Sequence, residues 1–396
     1  MDIIKLNDVC EILNGYAFKS ANYVNSGIRI IRITNVQNGY IEDKEPRFYP
    51  LSREREIQKY ILKENDILIS LTGNVGRVAL LEKKYLPAAL NQRVACLRLK
   101  NKIIYKPFLF CFLNSYFFEN QCITNSKGIA QLNLSTEWLR DYEIPLYEYK
   151  SQVQIADKFH AINKLIGNRK RQLELLDMIV KSRFIEMFGD PISNPQGWPV
   201  KRLEELSLLI TNGNTPKGGS KNYVNKGILF LRSQNVWKNR IDLEDVAYID
   251  LNTHANMSKS SVHDKDILIT KTGRINTENS SLGRAALFRG ADNSANINGH
   301  VYLVRLDDTV VPEYVVAILT GEAYRKYIRK VCVGGIDKRQ INLDQVENFP
   351  IILPPKEKQK QFAIFATQID KSKLAIQKSI EKLEILKKSL MQKYFG

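Results

Sequence analysis

The residues Gly213-Asn214-Thr215-Pro216-Lys217-Gly218-Gly219-Ser220 come close to spelling a phosphate-binding loop. That loop needs a lysine directly after its second glycine, so that backbone N–H groups cradle the phosphates while the ammonium reaches them. Gly219 stands in that place, so the segment reads as an ordinary loop. Methyl transfer to adenine would need an Asn/Asp-Pro-Pro-aromatic motif and a glycine-rich cofactor loop. The one Pro-Pro, Pro354-Pro355, lies between Leu353 and Lys356 and fails the pattern. The four histidines (His160, His254, His263, His300) form no i, i+4 pair and have no neighbouring carboxylate set, so no metal site is expected. There is no Gly-x-Ser-x-Gly elbow, and no pair of acids is marked out by its context. The expectation is a chain with no catalytic residues and no cofactor of its own.

The abundant chemistry suits recognition. With 59 Lys and Arg against 42 Asp and Glu, the chain carries a formal charge of +17 over 396 residues, which favours a polyanionic partner. Duplex DNA is bound by Lys and Arg on phosphates and read by Arg, Asn, Gln, Lys and Ser/Thr at base edges. Such residues recur in loops beside short β-rich runs. In the first half they are Arg32, Thr34, Asn35, Thr72, Asn74, Arg77, Asn91, Gln92, Arg93, Lys127 and Gln131. In the second half they are Arg232, Ser233, Gln234, Asn235, Lys271, Arg274, Arg284, Asn298, His300, Lys338, Arg339 and Gln340.

These residues are positioned by a unit of about 200 residues written twice, and repeats of this size govern the fold. Asn22-Tyr23-Val24-Asn25 returns as Asn222-Tyr223-Val224-Asn225, and Asp66-Ile67-Leu68-Ile69 as Asp266-Ile267-Leu268-Ile269. The register then slips by seven, because Gly76-Arg77 matches Gly283-Arg284; the extra residues fall in the polar run Arg274 to Leu282. Scaffold words are kept while polar words change: Gln92-Arg93 becomes Gly299-His300, and Ala130-Gln131 becomes Lys338-Arg339-Gln340. Two readers of different sequences on one frame would differ in this way.

Each unit ends in a rod. From Ser151 to Gly189 the apolar positions Ile155, Phe159, Ile162, Ile166, Leu173, Leu176, Val180 and Met187 step by fours and threes, the seam of a helix that packs along another helix. Ser151 with Gln154 suggests a capping box, and Gly189 with Pro191 a stop. At about 1.5 Å per residue the rod would reach on the order of 55 Å. An offset of 207 maps it onto Lys358 to Gly396, with Phe188-Gly189 answering Phe395-Gly396. The proline-rich segment Asp190–Pro199 is the expected hinge between copies. The fold class expected is α+β: two tandem mixed α/β globules alternating with two long helices packed as an antiparallel coiled coil, in a pseudo-two-fold arrangement. Its boundaries would be 1–149 for the first globule, 150–190 for the central helix, 191–355 for the hinge and second globule, and 356–396 for the C-terminal helix. Five widely spaced cysteines without Cys-x-x-Cys, no signal-peptide core and no apolar run near 18 residues point to a soluble, cytoplasmic protein without a membrane partner.

This order of motifs resembles the specificity subunit of type I restriction-modification systems, and the resemblance covers essentially the whole chain. It rests on Gly-Ile-x-x-x-Arg followed by Asn (Gly27 to Asn35; Gly227 to Asn235) and on Asp-Ile-Leu-Ile-x-x-Thr-Gly. The Ile-Pro-Leu or Ile-x-Leu-Pro-Pro lead-in with Gln152 or Gln359 before each helix completes it. The first copy departs from Pro-Pro-Leu, reading Ile144-Pro145-Leu146. The resemblance implies two target-recognition domains, each reading half of a bipartite, asymmetric site on double-stranded DNA. It implies that the helix pair spaces the half-sites by roughly one to one and a half turns of about 34 Å. It further implies two methyltransferase subunits on the helices, which bring S-adenosylmethionine, and an ATP-driven restriction subunit in the full complex. The competing reading is a non-catalytic scaffold that joins partner proteins through its helices; it predicts no salt-dependent DNA affinity.

Overall fold

A computed structural model describes residues 2–128, 132–275, 277, 279–335 and 338–396. The chain forms two compact units, Met1–Lys170 with Lys378–Gly396, and Arg171–Gln377. In the first, an antiparallel sheet has the order Cys10–Asn14, Val94–Leu99, Ile67–Ser70, Val78–Leu80. The Asp-Ile-Leu-Ile word is continuous rather than alternating because its strand is covered on both faces. Ile67 and Ile69 enter one apolar cluster and Leu68 another. A second sheet sets Ile28–Ile31 between Phe48–Tyr49 and Ala88–Leu90, parallel to the latter.

The second unit repeats this frame. Ser207–Asn212, Val301–Leu306, Ile267–Thr270 and Ala285–Leu287 form the first sheet. Ile228–Leu231 runs parallel to Ala295–Ile297 in the second. One pair of charges recurs in both. The Asp66 carboxylate, 4% exposed, accepts from Arg98 Nε and Nη2 at 3.0 and 2.6 Å. Asp266, 1% exposed, accepts from Arg305 Nε and Nη2 at 2.9 and 2.8 Å. Bidentate pairing satisfies a buried carboxylate that would otherwise be costly. That explains why Leu97-Arg98-Leu99 is echoed by Val304-Arg305-Leu306.

Short helices follow the sheets: Lys106–Leu113 and Tyr116–Thr124, then Pro312–Thr320 and Glu322–Val331. The long helices run Tyr149–Phe188 and Lys356–Phe395, 40 residues each. Ser151 lies inside the first of them, so the capping-box reading is corrected. The adjacent Gln152 does the fastening instead. Its Oε1 accepts from the Tyr105 N–H at 2.7 Å, and its Nε2 donates to the Tyr147 and Ile103 carbonyls at 2.8 and 3.1 Å. Gln359 repeats the peg, accepting from the Val311 N–H at 3.0 Å and donating to the Pro354 carbonyl at 2.8 Å. Both are buried. Gly189 stops the central helix as expected, with φ +76° and its N–H on the Ile185 carbonyl at 2.8 Å.

In the first unit the head of the central helix meets the tail of the C-terminal one. Phe159 stacks on Phe395 at 5.4 Å, and Lys158 Nζ donates to the Tyr394 hydroxyl at 3.0 Å. In the second unit tail meets head: Phe184 and Phe188 pack on Phe362 at 5.4 and 5.8 Å, and Lys373 Nζ pairs with Asp177 at 2.7 Å. This is the order of an antiparallel pair. The expected seam holds at Ile155, Phe159, Ile162 and Ile166, all buried, whereas Leu173, Leu176, Val180 and Met187 are half-buried. Phe184, outside that seam, is buried because its ring also lies on Tyr314 of the globule at 5.8 Å. The Asp190–Pro199 hinge is a bonded turn, in which Asp190 accepts from the Ile192 and Ser193 N–H groups at 2.9 Å and Trp198 Nε1 donates to the Phe188 carbonyl at 3.1 Å. The cysteines are free thiols, and burial pushes Cys10 up to about 12 and Cys111 up to about 11. Among the described residues, no helix is long and apolar enough to cross a membrane.

Candidate nucleic-acid interface

Three loops leave the same edge of each frame and are bonded to one another. In the first unit they follow Ile67–Ser70, follow Ala88–Leu90, and include Lys127 and Asn133. The Leu71 N–H donates to the Arg93 carbonyl at 2.9 Å, Gly73 to Leu132 at 2.9 Å, and Lys127 to Asn133 at 3.0 Å. In the second unit Lys271 N–H donates to the His300 carbonyl and Ile341 N–H to that of Lys271, both at 2.9 Å. Thr272 and Gly273 pair with Gln340 and Arg339, which also pair with Val333 and Gly334.

This bonding gathers Thr72, Asn74, Arg77, Asn91, Gln92, Arg93 and Lys127 in one unit. In the other it gathers Lys271, Arg274, Arg284, Asn298, His300, Lys338, Arg339 and Gln340. Asn74, Gln92, Arg93 and Lys127 are exposed, as are Arg274, His300, Lys338 and Gln340. Arg77 Nη1 donates to Gln37 Oε1 at 2.6 Å, while Arg284 lies 4.0 Å over the Trp237 ring. Asn91 and Asn298 turn their amides onto the chain, accepting from the Arg93 and His300 N–H groups at 3.3 and 3.1 Å. Gln131 lies outside the described residues.

The Arg–Asn words are held differently. Asn35, 3% exposed, accepts from the Arg32 N–H at 2.8 Å and donates to the Glu42 carbonyl at 2.9 Å. Asn235, 2% exposed, accepts from the Arg232 N–H at 2.9 Å and donates to the Asp242 carbonyl at 2.9 Å. Arg32 and Arg232 donate Nη2 to the Glu45 and Asp245 carbonyls at 2.7 Å each. Each leaves a buried Nε without a protein partner. Gln234, exposed, donates to the Asp245 carboxylate. The structure thus commits these two arginines and two asparagines largely to the chain itself.

The near-phosphate loop has its own explanation. A side chain at Gly213 would stand 2.1 Å from the Ile297 carbonyl oxygen, and one at Gly15 would meet Asn91 at 2.2 Å, so these glycines permit a close backbone crossing. Among the described residues, no three His, Cys, Asp or Glu side chains gather as metal ligands would.

The chain is thus a duplicated α+β fold with two long helices and two matching loop clusters. A family model described as the type I restriction modification DNA specificity domain matches residues 1–176 and again 195–386. The chain belongs to that family, whose specificity subunits are non-catalytic DNA-recognition subunits. It is 21% identical over 419 residues to the EcoKI specificity subunit of Escherichia coli strain K12, covering 99% of this chain and 88% of that one. It is 34% identical over 187 residues to the EcoAI specificity subunit of Escherichia coli, covering 44% of this chain and only 32% of that subunit's length. The fold is similar to that of the S subunit from M. genitalium, with TM-score 0.59, 13% identity, and 100% and 96% of the two chains covered.

Proposed function

We propose that each unit reads one half of a bipartite, asymmetric site on double-stranded DNA, through the candidate loop residues of its bonded cluster. The long helices set the unread spacer and hold two methyltransferase subunits, and a restriction and translocase subunit joins the full complex in the cytoplasm. The domain limits proposed are 1–149, 150–190, 191–355 and 356–396. The observation carrying the reading is that one three-loop cluster is built twice on the same strands while its exposed polar residues differ. Docking on the helices is supported by apolar side chains left open to solvent. Leu165, Leu175, Met178, Ile179 and Ile185 are exposed on one helix, and Ile364, Leu374, Ile385 and Leu386 on the other.

The test is an exchange of residues 200–350 for those of another family member, followed by mapping of methylated sites in cells that also make the methyltransferase. One half-site changes and the other stays if the units read independently. A change in both would refute the modular reading.

A further inference from the structure

Each unit carries a short hairpin beside its three bonded loops. In the first unit Val36 pairs with Ile41, and the Gln37 N–H donates to the Tyr40 carbonyl at 3.0 Å. In the second, Val236 pairs with Ile241 and Trp237 with Arg240. The base of each hairpin is anchored in apolar core. Val36 and Ile41 are buried in one cluster, and Val236, with Ile241 packed against it, in the counterpart. The tips are exposed at Asn38, Gly39 and Tyr40, and at Lys238, Asn239 and Arg240.

Both tips are docked at the same place. The Gly39 N–H donates to the Val78 carbonyl and the Asn239 N–H to that of Ala285, each at 2.8 Å. Val78 and Ala285 directly follow Arg77 and Arg284, which belong to the loop clusters. Gln37 is held from two sides, donating Nε2 to the Thr34 carbonyl at 3.0 Å and accepting from Arg77 Nη1 at 2.6 Å. Trp237 keeps this tie in another form, with the Arg284 guanidinium over its ring. The turn is kept as well. Gly39 at φ +94° and Asn239 at φ +54° both lie in the left-handed region, which Gly and Asn enter more readily than other residues.

The outward side chains are not kept. Gln37-Asn38-Gly39-Tyr40 is answered by Trp237-Lys238-Asn239-Arg240, although Asn35-Val36 just before is repeated as Asn235-Val236. A pinned backbone presents its side chains at fixed places, which lowers the ordering cost of a contact. Tyr40 is 54% exposed, and among the described residues nothing bonds its hydroxyl or the Asn38 amide. The nearby Asn35 differs, because its amide braces its own turn.

We propose that the hairpin tip is a fourth reading segment, in which Asn38 and Tyr40 contact base edges in the half-site of the first unit. The amide of an asparagine matches N6 and N7 of adenine; a tyrosine brings an apolar ring for a thymine methyl and a hydroxyl that donates or accepts. The proposal rests on the DNA-reading function above and adds two specificity-determining residues to it. The second unit presents Lys238 and Arg240 at the same places, Arg240 paired with Asp242 at 3.0 Å.

The experiment uses the full chain in complex with its methyltransferase. The methylated motif is mapped first, and the exchange of residues 200–350 shows which half-site belongs to the first unit. Duplexes with that motif changed one base pair at a time are then bound by the wild-type and N38A/Y40A complexes, with anisotropy as the readout. In the variant, preference for the right base falls about tenfold at one or two positions of the first unit's half-site. The other half-site is unaffected, and the salt slope holds because neither residue is charged. If the double variant does not fold, N38A and Y40F are measured singly, and each loses preference at one position. Wild-type discrimination at every position overturns the proposal, as does a loss confined to the other half-site. A uniform loss of affinity with discrimination intact would place the tip on the sugar-phosphate backbone and overturn the base contacts. If the wild-type complex itself binds all the duplexes alike, the DNA-reading function falls first.

Discussion

Replacing Gln152 by alanine should loosen the head of the central helix from the first globule, and the geometry sets the size of the effect. Three backbone groups converge on this one amide: the Tyr105 N–H at 2.7 Å and the Tyr147 and Ile103 carbonyls at 2.8 and 3.1 Å. The side chain is fully buried, so water does not replace it freely. Leaving a buried backbone group unpaired costs about 1–3 kcal/mol, and partial relaxation around three of them brings Q152A to roughly 3–5 kcal/mol. Q152E sharpens the test. Its carboxylate can still accept from Tyr105, yet it turns a negative oxygen onto two carbonyls, so it should destabilise about as much as Q152A at neutral pH. Because the folded state then favours the protonated acid, the loss in Q152E should shrink as pH falls. Hydrogen exchange at Tyr105 and across Lys106–Leu113, together with denaturant unfolding, reads both effects. A loss below about 0.5 kcal/mol in Q152A with Tyr105 still protected would refute the claim that this peg joins helix to globule.

Two further outcomes follow from the same geometry. Burial alone would raise the Asp190 pKa, but the N–H groups of Ser193 and Ile192, the Ser193 hydroxyl and Lys326 hold it below the usual carboxylate range. Its contribution is therefore present above the unfolded carboxylate pKa and lost as pH falls through the lower folded value. D190A should cost about 1 kcal/mol at pH 7 and nearly nothing in acid, where denaturant curves of the two proteins should coincide; a difference independent of pH would contradict this. Deleting residues 167–170, where Gly167, Asn168 and Lys170 are exposed, removes about 6 Å of helix. Mapped methylation should show a spacer altered by one or two base pairs with both half-sites intact; unchanged spacing with normal activity would sink the ruler role.

The repeat, the sheet words and the two rods were legible because each rests on a local physical signal. A doubly covered strand reads as Ile67-Leu68-Ile69, and a helix stop reads as Gly189 before Pro191. What sequence could not show was direction. Asn35 and Asn235 stand beside arginines in loop positions, as base-reading residues would, but both amides turn inward and brace their own turns. In sequence an inward brace and an outward contact look alike. Phe184 escaped the seam because its burial comes from Tyr314 of the globule as well as from Phe362 of the partner helix. Ser151 looked like a cap because Gln154 follows it, although the helix had already begun at Tyr149.

We propose that this chain chooses the DNA sequence for a methyltransferase that has no choice without it. Genome-wide mapping of methylated adenine, in a methylation-free host making the methyltransferase with and without this chain, tests it most directly. One new bipartite motif is expected, two unlike half-sites around a fixed spacer, present only when the chain is made. If both proteins are soluble and associated and no new motif appears, the helices join partners and the chain does not read DNA.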